Sequence, residues 1–100
     1  MNLKYIFKIL DKDEWNNAKK DGNYLGSSQD LKDGYIHFSE EEQVHETLKK
    51  YYDKKENLIL LKVHTLNLEH LVWENASNGD MYPHLYSTLN IENVEDEFEL

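Results

Sequence analysis

Leu58-Ile59-Leu60-Leu61-Lys62-Val63 is the stretch from which the rest of the chain is organised. It is nearly continuously apolar, so it reads as a central strand covered on both faces. Upstream, Ser39-Glu40-Glu41-Glu42 has capping-box spacing. The helix behind it is expected to run to about Lys54, with Val44, Leu48 and Tyr51 at i, i+4 and i+7 as a buried stripe. Asp33-Gly34 is a turn signal, and Tyr35-Ile36-His37-Phe38-Ser39 a short strand. Asn23 to Asp33 is loop-like in composition. Nearer the start, Asp11-Lys12-Asp13-Glu14 is a further capping box, Trp15 and Ala18 share a helical face, and Gly22 is a natural stop. Leu3 to Ile9 alternates in part and reads as a first strand.

Downstream of the central strand, Asn67 to His70 reads as a turn or short helical piece, and Leu71-Val72-Trp73-Glu74 as a strand. Asn78-Gly79 marks a tight turn. Met81 to Leu89 is expected to be extended because Pro83 disfavours helix, and Ile91 to Phe98 to close the sheet. Two main helices with five or six strands predict an α+β fold, a single compact domain over residues 1–100. Its sheet is expected to be mixed and mainly antiparallel, with an acidic C-terminal tail from about 92 to 100.

Charge narrows the function. Eleven Lys face twenty Asp and Glu, Arg is missing, and the formal net charge is -9. The segment Glu92 to Glu99 alone holds five acids and no base. Such a field repels phosphate backbones, which argues against non-specific nucleic-acid binding. Without Arg there is no planar fork for bidentate capture of phosphate or carboxylate. Absence of Cys excludes disulfides and thiolate chemistry. No apolar run is long enough for a membrane span, and Lys4 and Lys8 spoil a signal-peptide core, so a cytoplasmic location is expected. His37, His45, His64, His70 and His84 are scattered without a His-x-x-x-His pair, and no metal site is expected. Neither a Gly-rich phosphate loop nor a nucleophile elbow is present.

Two short segments carry the chemistry. Alternation along a strand puts Tyr35, His37 and Ser39 on one side and Ile36 and Phe38 on the other. It likewise groups Tyr82, His84 and Tyr86 against Leu85. Imidazoles and hydroxyls can orient sugar hydroxyls or a carbonyl, and phenol rings stack on a flat heterocycle. Were the two strands neighbours, they would wall a cleft with titratable groups. Ser39 has a plainer explanation as a helix N-cap, a role that contributes about 1 kcal/mol. Glu74 ends an apolar Leu-Val-Trp strand, where a carboxylate is either paired, used or already in water.

These residues resemble the domain of unknown function 952, a bacterial family. Trp15, Ala18 and Gly22 fit its opening; Gly34-Tyr35-Ile36-His37-Phe38-Ser39 and Gln43 fit its centre; Glu74 and Tyr82-Pro83-His84-Leu85-Tyr86 fit the rest. Ser87-Thr88 departs from the Gly-Pro expected after the Tyr. The resemblance implies an ADP-ribosylation-like fold, in which a strand His, an aromatic or polar residue and a late Glu surround a nicotinamide-ribose site. On that basis NAD+ or a related ribosyl nucleotide is the expected ligand, with His37, Glu74 and His84 catalytic and Tyr35, Ser39, Gln43, Tyr82 and Tyr86 binding. His37 would hold ribose hydroxyls, Tyr86 would stack on the base, and Glu74 would stabilise an oxocarbenium-like centre or act as base. Two alternatives stand beside this: a non-catalytic small-molecule binding module, and a protein-interaction domain using the acidic surface.

Overall fold

Strand pairing is antiparallel throughout the described residues. In the computed structural model, which describes residues 4–76 and 79–100, the order is β1 (Tyr5–Asp11), α1 (Lys12–Asp21), β2 (Asn23–Tyr24), α2 (Ser28–Asp33), β3 (Ile36–His37), α3 (Val44–Tyr51), β4 (Leu58–His64), β5 (Leu71–Asn75), β6 (Met81–Leu85), β7 (Leu89–Asn90) and β8 (Val94–Glu99). Single 3-10 turns occupy Glu41–Gln43 and Ile91–Asn93. The strands form three ladders, β1-β4-β8, β2-β7 and β3-β6-β5. The α+β class agrees with the sequence; the single mixed sheet of five or six strands does not. Three of the strands have only two residues, too few to show a period.

The stretch around Leu58 is the centre of its sheet. β1 pairs with β4 from Tyr5 opposite His64 to Asp11 opposite Leu58, and β8 pairs along the other edge. Ile59, Leu61 and Val63 are buried on one face, where they join Ile6, Leu10 and Trp15, and Ile36 and Leu85 from the β3-β6 ladder. The opposite face is covered only in part: Leu60 and Lys62 are half-buried beneath α3. The radius of gyration, 12.7 Å, is what a single domain of about 100 residues gives.

Caps explain where the helices lie. The Asp11 carboxylate accepts from the amides of Asp13 (2.8 Å) and Glu14 (3.3 Å), and Gly22 ends α1 at φ 85°. Asn23 to Asp33 is not a plain loop. It holds β2 and α2, the latter started by a reciprocal capping box between Ser27 and Asp30. Ser39 is not the cap of the next helix. Its amide and carbonyl both bond Phe7 (2.8 and 2.7 Å), so Glu40 takes the capping position one residue later, with Gln43 as its partner. That helix ends at Tyr51 and not Lys54. Tyr51 is exposed, and Tyr52 turns inward to donate its hydroxyl to the Ile9 carbonyl (3.1 Å).

The acidic segment is no tail. Most of it is β8, and its carboxylates meet partners within the fold: Trp15 Nε1 (3.1 Å) and Lys19 (3.4 Å) on Glu97, Lys62 on Glu95 (3.7 Å), and Lys12 on Glu99. Of the expected Asn78-Gly79 turn, Asn78 lies outside the described residues, as does Leu3 of the first strand.

Candidate functional site

The β3-β6-β5 ladder sorts the two chemistry-bearing segments. Ile36 stands opposite Leu85 and His37 opposite His84; on the other side of β6, Trp73 stands opposite Pro83 and Glu74 opposite Tyr82. Cross-strand partners share a face. Ile36, Leu85, Pro83 and Trp73 therefore point toward the core, and His37, His84, Glu74 and Tyr82 toward the opposite side. Four rings gather there. Tyr35 stacks on His84 with centroids 4.1 Å apart and planes at 21°, lies 4.6 Å from His37 and 5.2 Å from Tyr86; the two imidazoles are 5.5 Å apart.

Each imidazole is held by a carboxylate. His37 Nδ1 is 2.6 Å from Asp30 and its Nε2 is 3.2 Å from Asp33. Asp30, only 2% exposed, also accepts from the Ser27 amide (2.9 Å), the His37 amide (3.2 Å) and Lys8 Nζ (3.0 Å). Burial pushes this carboxyl upward, but the hydrogen bond from His37, the Lys8 charge and the Ser27 amide outweigh it and hold the group well below the usual carboxylate range. Burial also lowers the Lys8 ammonium, against the opposing pull of Asp30. Lys8 projects from β1 beside Ile6 and Leu10, so this ion pair is set into the apolar core.

His84 Nδ1 is 2.8 Å from Glu74 Oε1, which also accepts from the Tyr86 hydroxyl at 2.6 Å. Those two hydrogen bonds, Tyr86 first and His84 second, hold the Glu74 carboxyl below its ordinary value. The same bond to Glu74 pushes the Tyr86 phenol up to about 12. An ionised carboxylate only accepts, so Nδ1 of His84 carries the proton and Nε2 is the acceptor of the neutral ring.

A cleft of about 990 Å³ opens on these rings. Tyr35, His37, Ser39, Tyr82 and His84 line it, facing Glu46, Lys50, Tyr51 and Tyr52 from α3 and the turn after it. Glu74 and Tyr86 are not lining residues; they reach the cleft through His84 and Tyr35. Glu74, expected from the sequence to act on the ligand, is placed against His84 Nδ1. The Ser39 hydroxyl bonds Thr47 Oγ1 (3.1 Å). Gln43 is committed to the framework at both ends of its amide, donating to the Met81 carbonyl (3.0 Å) and accepting from the Glu40 amide (2.9 Å).

Lys8, Asp30 and Asp33 escaped the sequence reading. Two signals could have found them: a Lys inside the apolar run Tyr5–Leu10, and the capping-box spacing of Ser27 and Asp30. Among the described residues, no group of three or more His, Asp or Glu is placed to hold a metal ion, and no helix is long and apolar enough to cross a membrane.

Fold and site together define a small antiparallel α+β domain that sets two carboxylate-held imidazoles against one cleft. Residues 9–97 match the family described as "Protein of unknown function (DUF952)", and the chain belongs to that family. It is similar to the crystal structure of protein CC0527 from Caulobacter crescentus, with 43% identity and a TM-score of 0.92 over 96% of this chain and 85% of that one. The solution NMR structure of CC0527 matches with 44% identity and a TM-score of 0.85, covering 100% of this chain and 85% of that one. No curated protein matches the chain. These likenesses carry the family and the fold; they do not extend to the ADP-ribosyltransferase superfamily, and a fold alone assigns no reaction.

Proposed function

We propose that the domain binds a ribosyl nucleotide, NAD+ or a chemical relative, in this cleft and acts on its N-glycosidic bond. The observation that carries the reading is the ring cluster: two imidazoles 5.5 Å apart, each oriented by its own carboxylate, beside a stacked phenol at the wall of a cleft of about 990 Å³. Such a wall offers what a ribosylated heterocycle needs. Imidazole nitrogens bind vicinal hydroxyls, phenol faces take the flat ring, and nearby carboxylates favour the positive charge that builds on a ribosyl carbon as its glycosidic bond breaks.

The geometry supports a role for each residue. His84, its proton fixed on Nδ1 by Glu74, presents Nε2 as a base toward an attacking water or hydroxyl. His37, with Nδ1 on Asp30 and Nε2 on Asp33, offers the ligand its ring and leaves the hydroxyl contact to Nε2 of His84. Glu74 is a positioning residue. The His-x-Ser spacing of His37 and Ser39 supports the same ligand class. Isothermal titration with NAD+, ADP-ribose and nicotinamide, joined to chromatography of the incubated nucleotides, tests the reading. Binding lost in His37→Ala and turnover lost in His84→Ala are the expected results. Binding without turnover leaves a non-catalytic module, and absence of binding to these three and to nicotinamide riboside and its mononucleotide overturns the proposal.

A further inference from the structure

The charges around the cleft narrow the ligand further, and this step rests on the ribosyl reading just given. Six carboxylates line the cleft against three ammonium groups. One ammonium, Lys8, is shut into its pair with Asp30 and is unavailable to a ligand. The other two, Lys50 and Lys55, lie over the rings of Tyr51 (5.2 Å) and Tyr52 (5.6 Å). Each also has a lining carboxylate close in sequence. Glu46 is four residues before Lys50 on α3, and Glu56 is adjacent to Lys55.

A diphosphate entering here meets net negative charge and no Arg fork. A ligand bearing a single positive charge on a flat ring meets the reverse. Phenol faces and carboxylates are the two groups that recognise organic cations, the first through the ring quadrupole and the second through charge. His84 marks where that ring would sit. It is nine-tenths buried, its Nδ1 is held by Glu74, and its ring lines the cleft beside Tyr35 and Tyr82.

We infer that the cleft recognises a cationic N-riboside, a ribosylated pyridinium-type ring without a diphosphate, in preference to the dinucleotide. Amide chemical-shift titrations of the full chain with nicotinamide riboside, nicotinamide mononucleotide, NAD+ and ADP-ribose rank the candidates. The riboside is expected to bind at least about tenfold more tightly than NAD+ or ADP-ribose, with a preference that shrinks as salt screens the cleft. In the double variant Glu46→Gln, Glu56→Gln, the preference should fall to about twofold because two of the repelling charges are gone. If NAD+ or ADP-ribose binds as tightly as the riboside, the inference fails and the ribosyl reading stands. A preference untouched by the double variant also overturns the inference. If none of the four binds, the ribosyl reading itself fails.

Discussion

The two imidazoles at the cleft have the same kind of partner in opposite surroundings. Asp30 is 2% exposed, and besides His37 it satisfies a buried ammonium and two backbone amides. Glu74 has a side chain 39% exposed and, among the described residues, holds His84 and Tyr86. Contacts of similar length therefore carry different consequences. The first carboxylate is part of what keeps the core closed around Lys8, while removal of the second leaves no buried charge uncompensated, only the Nδ1 of His84 without its partner. One pair is built around a carboxylate sealed in the fold; the other has its carboxylate at the surface.

Neutralising each carboxylate in turn breaks the comparison most directly. Asp30→Asn leaves the Lys8 ammonium buried without a counter-charge, and urea denaturation should show a loss of about 3–5 kcal/mol. Glu74→Gln should move the urea midpoint far less, since the amide oxygen of Gln still accepts from His84 Nδ1 and no buried charge is left unpaired. Equal losses in the two variants would erase the distinction. A sharper form adds Lys8→Met to Asp30→Asn. With no buried charge left uncompensated, at least about half of the lost stability should return.

How much of this was legible depends on the range over which each feature is specified. Period-2 alternation put His37 with Tyr35 and His84 with Tyr82 on common faces, and the cap at Asp11 and stop at Gly22 were local signals that the structure repeats. Asp30 was hidden because α2 has six residues, too few for a hydrophobic stripe, and sits in a segment of loop composition. Ser39 was misread because its competing partner, Phe7, is 32 positions away, and no local rule weighs a cap against a distant backbone bridge. Tyr51 was misplaced because α3 ends with it: Val44 and Leu48 stay half-buried as expected, but the chain then leaves the helix and Tyr52 turns inward instead. The register that sets His37 opposite His84 is likewise a long-range fact.

Acid separates the two pairs in a second way. Asp30 and Glu74 both have folded-state values below those of the unfolded chain, so as pH falls the unfolded state takes up protons first. Their stabilisation is complete above the ordinary carboxylate range, roughly pH 4–5, and is lost as pH drops through the folded values. Asp30 is displaced further and is buried, so it should dominate. Urea midpoints compared between pH 6 and pH 3 should fall steeply in the wild-type chain, less in Lys8→Met with Asp30→Asn, and almost as steeply as wild type in Glu74→Gln. A flat profile in Glu74→Gln would assign the acid sensitivity to the wrong carboxylate.

Tyr86→Phe probes the exposed pair alone and carries the smallest expected effect. The hydroxyl of Tyr86 is the leading cause of the lowered Glu74 carboxyl, with His84 second. Removing it should raise Glu74 toward its ordinary value without reaching it, because the bond from His84 Nδ1 remains. Carboxyl-detected NMR titration of Glu74 in the two proteins reads this shift directly, and thermal unfolding at neutral pH should not change. The direction distinguishes two pictures of the site. If Glu74 rises while His84 keeps its Nδ1 proton in imidazole ¹⁵N spectra, the carboxylate orients the imidazole independently of Tyr86. If His84 loses that tautomer as well, the three groups act as one unit, and the phenol is as much a positioning residue as the acid it touches.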